Sequence, residues 1–464
     1  MKKLNLTIND FFELPTAIIY NAEKFNPVTS VSIDSRIVLK NSLFVAINGE
    51  KLDGHNFVRQ AIKNGASVVV IDEKKYEEFS DLKIPLVTVR NTTDALGSLA
   101  KVWRSKLRAK VIGISGSNGK TSTKDMLSEL LCQKYIVNKT VANHNNHIGV
   151  PLTIFSTNQK HDVLVAELGT NHFGEIKYTA GILQPDYSLI TNIGDSHLEF
   201  LKDRKGVLKE KSFLFKITAA KGGMVIINLD DKLLKEIGRK FTKKISYSLL
   251  NLYADVKGTI TDYTEDGRPV ITIEYQSRKM NFEIPLYGEN SAKNFVASLA
   301  IAINLGLTKS QILAGIKSLK PVEKRLNVKR FKNFILIDDT YNANPESMAA
   351  AFFVMAKMSL YKNKIAILGD MLELGESAAK LHKNLAISIK ENKIGNVYTI
   401  GPFMKNLTES LKNQKIKIKH FRNRNSLKEF LLLMNFTDSI ILVKGSRGMK
   451  MEEFVQTIEA KAND

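Results

Sequence analysis

Short apolar runs alternate with polar, helix-forming stretches along most of the chain, the pattern of strands covered by helices on both faces. Ser42-Leu-Phe-Val-Ala-Ile47 reads as a buried strand, followed by a helix around 56–64 and a strand at 66–71. A second series holds buried strands at 110–114, 163–167, 188–191 and 224–228, each after a helical stretch. Between about 252 and 287 the apolar positions alternate instead, which predicts antiparallel strands, and a helix follows at 291–305. Gly306 and Pro321 bracket a boundary near 319. Beyond it the alternation restarts, with strands at 334–338, 364–368, near 397 and at 440–443, and helices at 345–358 and 377–390. The expectation is an α/β protein of three domains. A smaller N-terminal α/β substrate domain (1–86) and a C-terminal Rossmann-like domain (319–464) flank a central parallel-sheet domain (87–318).

Composition narrows the class. A length of 464 residues exceeds what one core usually organises, and 44 % hydrophobic with 8 % aromatic residues suits globular cores. Cys132 stands alone, so no disulfide framework is expected and a reducing cytoplasm is the natural setting. The N-terminal stretch is charged without an apolar segment, and no run approaches the ~20 residues of a membrane span, so neither signal peptide nor membrane span is expected. Nothing marks a coiled-coil seam, and a monomer is expected. The net charge of +21 raises nucleic acid as a partner. The lysines are dispersed, however. The densest run, residues 415–424, alternates like an edge strand with one solvated basic face, so no nucleic-acid partner is expected. Steering of polyanionic small substrates is the use of charge that remains.

Candidate chemistry centres on Ile112-Gly-Ile-Ser-Gly-Ser-Asn-Gly-Lys-Thr-Ser-Thr-Lys124, where a strand runs through a glycine turn into a helix. Gly116 and Gly119 let backbone N–H groups of the loop, with Ser117, Asn118 and Ser122, converge on phosphate oxygens. Lys120 supplies a charge for the terminal phosphates and Thr121 a hydroxyl for Mg²⁺. The usual phosphate loop has glycine where this chain has Ile114. A nucleotide is the expected ligand.

Other groups lie at predicted strand ends, where parallel sheets bind ligands. Glu167 is placed to hold Mg²⁺ or to cap a helix. His197, in Ile190-Thr-Asn-Ile-Gly-Asp-Ser-His-Leu-Glu199, could be a second metal ligand or a structural histidine. Lys211, taken alone, reads as a surface lysine. Asp339, in Asp338-Asp-Thr-Tyr-Asn-Ala-Asn-Pro345, could bind ribose or terminate a turn. Lys444 and Arg447, in Val443-Lys-Gly-Ser-Arg-Gly448, could grip a carboxylate or form a solvated basic loop.

Together these segments resemble the Mur ligase family, ATP-dependent enzymes that form amide bonds in peptidoglycan precursor synthesis. The shared pieces are Gly116-Ser-Asn-Gly-Lys-Thr121, Glu167, Thr191-Asn-Ile with His197-Leu-Glu199, and Arg325. The likeness is greatest to the member that joins D-alanyl-D-alanine to UDP-N-acetylmuramoyl-tripeptide. It is carried by Asn143-His-Asn-Asn-His-Ile-Gly-Val-Pro151, Ala166-Glu-Leu-Gly-Thr-Asn-His-Phe-Gly-Glu-Ile176, Asp339-Thr-Tyr-Asn-Ala-Asn-Pro345, Leu368-Gly-Asp-Met-Leu-Glu-Leu-Gly375 and Val443-Lys-Gly-Ser-Arg-Gly-Met449.

The resemblance implies carbamylated Lys211 as a metal ligand with Thr121, Glu167 and His197, and Arg325 reaching the ATP phosphates. It implies Ser35, Arg36 and His55 at the uridine diphosphate, and Asn143, Asn145 and Asn146 at the sugar and its diphosphate. Asn342 and Asn344 join the substrate-facing set, with Lys444 and Arg447 at the dipeptide carboxylate. Near adenine the family carries His-Asn-x-x-Asn where this chain has Asn290-Ser-Ala-Lys-Asn294, which leaves Asn290, Ser291 and Asn294 as the choices.

Overall fold

The computed structural model describes residues 4–49, 52–276, 278–321, 323–412 and 414–463. Their strands form three sheets, of five, nine and six strands. Contacts divide the chain into two compact units, one of Met1–Ser115, Lys134–Leu189 and Glu210–Val225, the other of Gly116–Gln133, Ile190–Lys209 and Ile226–Asp464.

The first unit contains the five-stranded sheet, ordered Ile18–Tyr20, Leu86–Val89, Ala66–Asp72, Ser42–Val45, Ser30–Ser32. Only Ile18–Tyr20 runs antiparallel to its neighbour. Its central strands are buried on both faces, which explains why they read as continuous apolar runs. Leu86–Val89 closes this first sheet. Residues 87–89, where the central domain was expected to open, thus pair within this sheet. The same unit holds the parallel strands Val137–Lys139, Val163–Glu167 and Lys110–Ser115.

In the second unit, Val256–Tyr263, Pro269–Tyr275 and Arg278–Glu283 are the antiparallel strands that the alternating pattern predicts. The helix Gly288–Asn304 follows them. The six-stranded sheet is ordered Asn327–Arg330, Phe334–Asp339, Ser439–Lys444, Asn363–Gly369, Asn396–Ile400, Lys417–Phe421. All pairs are parallel except the first. The basic run is indeed an edge strand, Lys417–Phe421, with exposed lysines alternating with half-buried positions. Register sets Asp339 opposite Lys444 at two strand ends, so topology alone brings these charges together. Pro345 opens the helix Pro345–Lys357 at the position where a missing N–H costs nothing, and Asn344 caps it. Among the described residues no helix is long and apolar enough to cross a membrane.

One buried cation ties the first unit together. Arg104, on the helix Thr92–Lys106, donates to the carbonyls of Leu183 (3.0 Å) and Gln184 (3.1 Å) and to Asp186 (3.1 Å). Replacing Arg104 by Met leaves those acceptors without their donor, and the denaturant midpoint should fall by an amount equivalent to about 2–4 kcal/mol. An unchanged midpoint would show that the network contributes nothing.

Candidate active site

The phosphate loop is held by the chain that follows strand Tyr187–Ile190. Ser117 N–H donates to the Asn192 carbonyl (3.0 Å) and Asn118 N–H to the Asn192 side chain (3.0 Å). The Asn118 carbonyl accepts from the Thr191 hydroxyl (2.5 Å) and the Asn192 amide (3.1 Å). Ser117 Oγ accepts from Gly194 N–H (2.9 Å) and the Ser196 hydroxyl (2.8 Å). This interlock leaves no room for side chains at the glycines. A Cβ on Gly116 (φ 143°) would lie 1.9 Å from Thr191 Oγ1, and one on Gly119 (φ 80°) 2.6 Å from Asn294 Oδ1. Helix Lys120–Leu131 starts at once, so its first-turn N–H groups, which have no intrahelical acceptor, form the anion-binding end. Lys120 Nζ donates back to the carbonyls of Gly116 (2.7 Å) and Ser117 (3.3 Å). Thr121 and Ser122 follow, half-buried in the first turn.

Beside the loop lies a cleft of about 420 Å³ lined by Asn118, Gly119, Tyr287, Asn290, Asn294 and Phe353 among others. Asn290 and Asn294 both face it; Ser291 is not among its lining residues, and its hydroxyl donates to the Tyr287 carbonyl (2.6 Å). Of the three choices left open by the sequence, the two amides are thus at the cleft.

Glu167 ends its strand only 2 % exposed. Its Oε1 accepts from the Asn145 amide (2.9 Å), while Oε2 is buried without a hydrogen-bond partner among the described residues. An orphaned carboxylate oxygen is costly and is the donor a hard cation prefers, so Glu167 fits Mg²⁺. Lys211, on helix Arg204–Ala220, is 1 % exposed, which rules out a surface lysine. Its neighbour Glu210 accepts from the N–H groups of Gly174 (2.8 Å) and Ile176 (2.7 Å). His197 sits in left-handed backbone (φ 53°), as does Glu373 (φ 60°), and His197 Nδ1 lies 2.7 Å from Glu373 Oε2. The His197 side chain beside it holds the Glu373 carboxyl below its ordinary range. Among the described residues no three His, Cys, Asp or Glu side chains converge as a metal site would need.

At the ends of the six-stranded sheet the expected ligand groups turn to each other. Lys444, buried, donates to Asp339 Oδ2 (2.5 Å) and the Asn342 carbonyl (3.0 Å); Asp339 Oδ1 accepts from Leu326 N–H (3.1 Å). Lys444, expected at a carboxylate, and Asp339, expected at the ribose, thus pair with each other. Arg325 and Arg447 lie over the same Tyr341 ring, at 4.1 and 5.3 Å from its centroid. Asn344 reaches the phosphate loop itself, donating to Asn118 Oδ1 (2.8 Å), while Asn342 Oδ1 accepts from Ala343 N–H (3.0 Å).

Among the expected uridine-diphosphate residues, Arg36 is exposed and pairs with Asp34 (2.6 Å), a hydrogen bond that holds the Asp34 carboxyl at about 2. Ser35 is buried, with its carbonyl accepting from Asn64 (2.8 Å). His55 is buried, its Nε2 accepts from Asp72 N–H (3.0 Å), and its Nδ1 lies 2.5 Å from Asp53. Asn143 is exposed, and Asn146 Oδ1 caps the helix Gly149–Ser156 through Ile148 and Gly149 N–H. Sequence reasoning missed one triad altogether. Arg204 grips Asp195 (2.7 and 2.8 Å) and Glu346 (2.5 Å). Asp195 and Glu346 adjoin recognised motifs, but no spacing pairs either with Arg204.

The interlock makes Gly116→Ala a sharp test. The added methyl must displace Thr191 and with it the Asn118 contact, so ATP affinity measured by calorimetry should fall at least about 100-fold. Unchanged affinity would mean that the loop does not bind phosphate.

Family models described as Mur ligase family, catalytic domain; Mur ligase middle domain; and Mur ligase, glutamate ligase domain match residues 27–104, 114–302 and 324–447. The UDP-N-acetylmuramoyl-tripeptide–D-alanyl-D-alanine ligase of Haemophilus influenzae is 33 % identical, over 94 % of each chain. A crystal structure of MurF from Acinetobacter baumannii superimposes with a TM-score of 0.87 at 28 % identity, covering 98 % of this chain and 99 % of that one. MurF from Thermotoga maritima, solved in complex with ADP, superimposes with a TM-score of 0.82 at 26 % identity, covering 94 % and 98 %.

Proposed function

The chain belongs to the Mur ligase family, and on that premise we propose how its residues carry out the reaction. It is an ATP-dependent ligase that joins D-alanyl-D-alanine to UDP-N-acetylmuramoyl-tripeptide, giving the UDP-muramoyl-pentapeptide precursor of peptidoglycan. The observation that carries this reading is a phosphate loop beside an amide-lined cleft, in a chain matched end to end by ligases of that name. It acts as a monomer in the cytoplasm, with the uridine diphosphate and sugar contacted through Ser35, Arg36, Asn143 and Asn145.

A carboxylate is a poor acyl donor, so it must first be activated. A peptide carboxylate oxygen attacks the γ-phosphorus, the bond to ADP breaks, and an acyl phosphate forms. Lys120 leaves its loop carbonyls for the phosphates, and Arg325 leaves the Tyr341 ring to join it; both neutralise developing charge. Mg²⁺ would be held by Thr121, Glu167, His197 and carbamylated Lys211, and its chemistry is charge neutralisation at phosphate oxygens. Asn290 and Asn294 orient the base. The amine of D-alanyl-D-alanine then attacks the acyl carbon, and a tetrahedral intermediate expels phosphate and sheds a proton. Arg447, exposed and planar, receives the dipeptide carboxylate. Lys444 acts through Asp339, fixing the segment that carries Asn342 and Asn344.

The direct test supplies ATP, Mg²⁺ and UDP-muramoyl-tripeptide and adds D-alanyl-D-alanine. Phosphate should be released one for one with pentapeptide; no release would sink the reading. Lys211→Ala should lower turnover by about 100-fold or more, and the Lys211 peptide of the native protein should carry the added mass of carbon dioxide. Full activity of the variant would remove the carbamate from the mechanism.

A further inference from the structure

Four carboxylates line the nucleotide cleft: Asp230, Asp231, Glu289 and Glu346. Three are already engaged. Asp230 accepts from the Ser248 hydroxyl and from the N–H groups of Leu249 (2.8 Å) and Leu250 (3.2 Å). Asp231 accepts from Ile193 N–H (2.7 Å) and caps the helix Lys232–Gly238 through Leu233 and Leu234 (both 3.0 Å). Glu289 pairs with Lys293 one turn along its own helix, at 2.6 Å. Glu346 is different. Its Oε1 accepts from Arg204 (2.5 Å) and Asp195 N–H (3.2 Å), but its Oε2 is shut away from water with no hydrogen-bond partner among the described residues.

The surroundings restrict what Oε2 can receive. A second cation would sit beside the Arg204 guanidinium, and a phosphate would face the carboxylate's own charge. A neutral donor remains. ATP offers two kinds, the ribose hydroxyls and the 6-amino group of adenine. The amides of Asn290 and Asn294 each present a donor and an acceptor, the combination that a base edge requires. A ribose hydroxyl needs only a strong acceptor, the role acidic residues play in other parallel-sheet nucleotide sites. Asp339, where sequence places that role, is committed to Lys444 and Leu326. Gly194 lets the Glu346 carboxylate pack closely against the loop: a Cβ there would lie 3.2 Å from it.

We propose that Glu346 recognises the ribose of the nucleotide, its Oε2 accepting a hydrogen bond from a ribose hydroxyl while Arg204 and Asp195 hold Oε1. This rests on the cleft being the ATP site. The test is calorimetric binding of ATP, 2′-deoxyATP, 3′-deoxyATP and ITP to the wild type, Glu346→Gln and Glu346→Ala. Wild type should bind ATP about tenfold more tightly than at least one deoxy nucleotide, the worth of a hydrogen bond to a charged acceptor. Both variants should bind ATP only as well as that deoxy nucleotide, whose own affinity should change by less than about twofold. Glu346→Gln keeps an acceptor for Arg204, so it carries the test if the alanine variant folds poorly. Variants that keep the ATP-to-deoxy ratio, or that lose only discrimination against ITP, would overturn the ribose assignment. A wild type that binds none of the four would overturn the ATP site and this assignment with it.

Discussion

Two chain crossings made without side chains organise the site. At Gly116 the phosphate loop passes Thr191 so closely that a single methyl would fall inside the hydroxyl oxygen, and at Gly119 it passes Asn294 in the same way. Those crossings let the backbone of Ser117 and Asn118 bond to Thr191 and Asn192, and the Ser117 hydroxyl to Gly194. Each bond contributes only about 1 kcal/mol net, but together they fix the loop's register before any phosphate arrives. The helix that begins at Lys120 is thereby aimed, and so is the Asn294 amide that touches the loop from the cleft side. Ile114, where a longer phosphate loop would have glycine, is fully buried, so the turn simply begins two residues later at Gly116.

The same loop meets the six-stranded part of the second unit. Asn344 touches Asn118, Glu346 reaches Asp195 and Arg204, and Glu373 meets His197. All three contacts fall on the segment from the phosphate loop to Arg204. His197 and Glu373 both hold left-handed backbone, which costs a non-glycine residue of the order of 1 kcal/mol and tends to persist where surrounding structure requires it.

Much of this was legible in the sequence, and the failures have physical causes. Buried parallel strands announce themselves as apolar runs, and the glycine turn, Pro345 and the basic edge strand are signals of local backbone chemistry. Periodicity reports that a strand is buried and not which sheet buries it, so the pairing of Leu86–Val89 with Ala66–Asp72 was illegible. The protein partners of candidate site residues were illegible for a related reason. His55 and Lys444 are residue types that suit a ligand, yet each meets a protein partner, Asp72 N–H in one case and Asp339 in the other, that only the fold brings near. The Asp195–Arg204–Glu346 triad joins positions far apart in sequence with no motif linking Arg204 to the others.

The partners of the cations separate those that can move from those that cannot. Lys444, buried, sits on Asp339, and withdrawing a partner from a buried charge pair costs about 3–5 kcal/mol, so it stays where it is and positions what surrounds it. Arg204, half exposed, is held by two carboxylates at once. Arg325 and Arg447 instead rest on the face of Tyr341, an interaction of about 0.5–1 kcal/mol at an exposed site. Buried Arg325 Nε has no hydrogen-bond partner among the described residues, which weakens its hold further. A doubly charged phosphate or a dipeptide carboxylate easily exceeds that. Tyr341 thus keeps two guanidiniums beside the strand ends without binding them tightly.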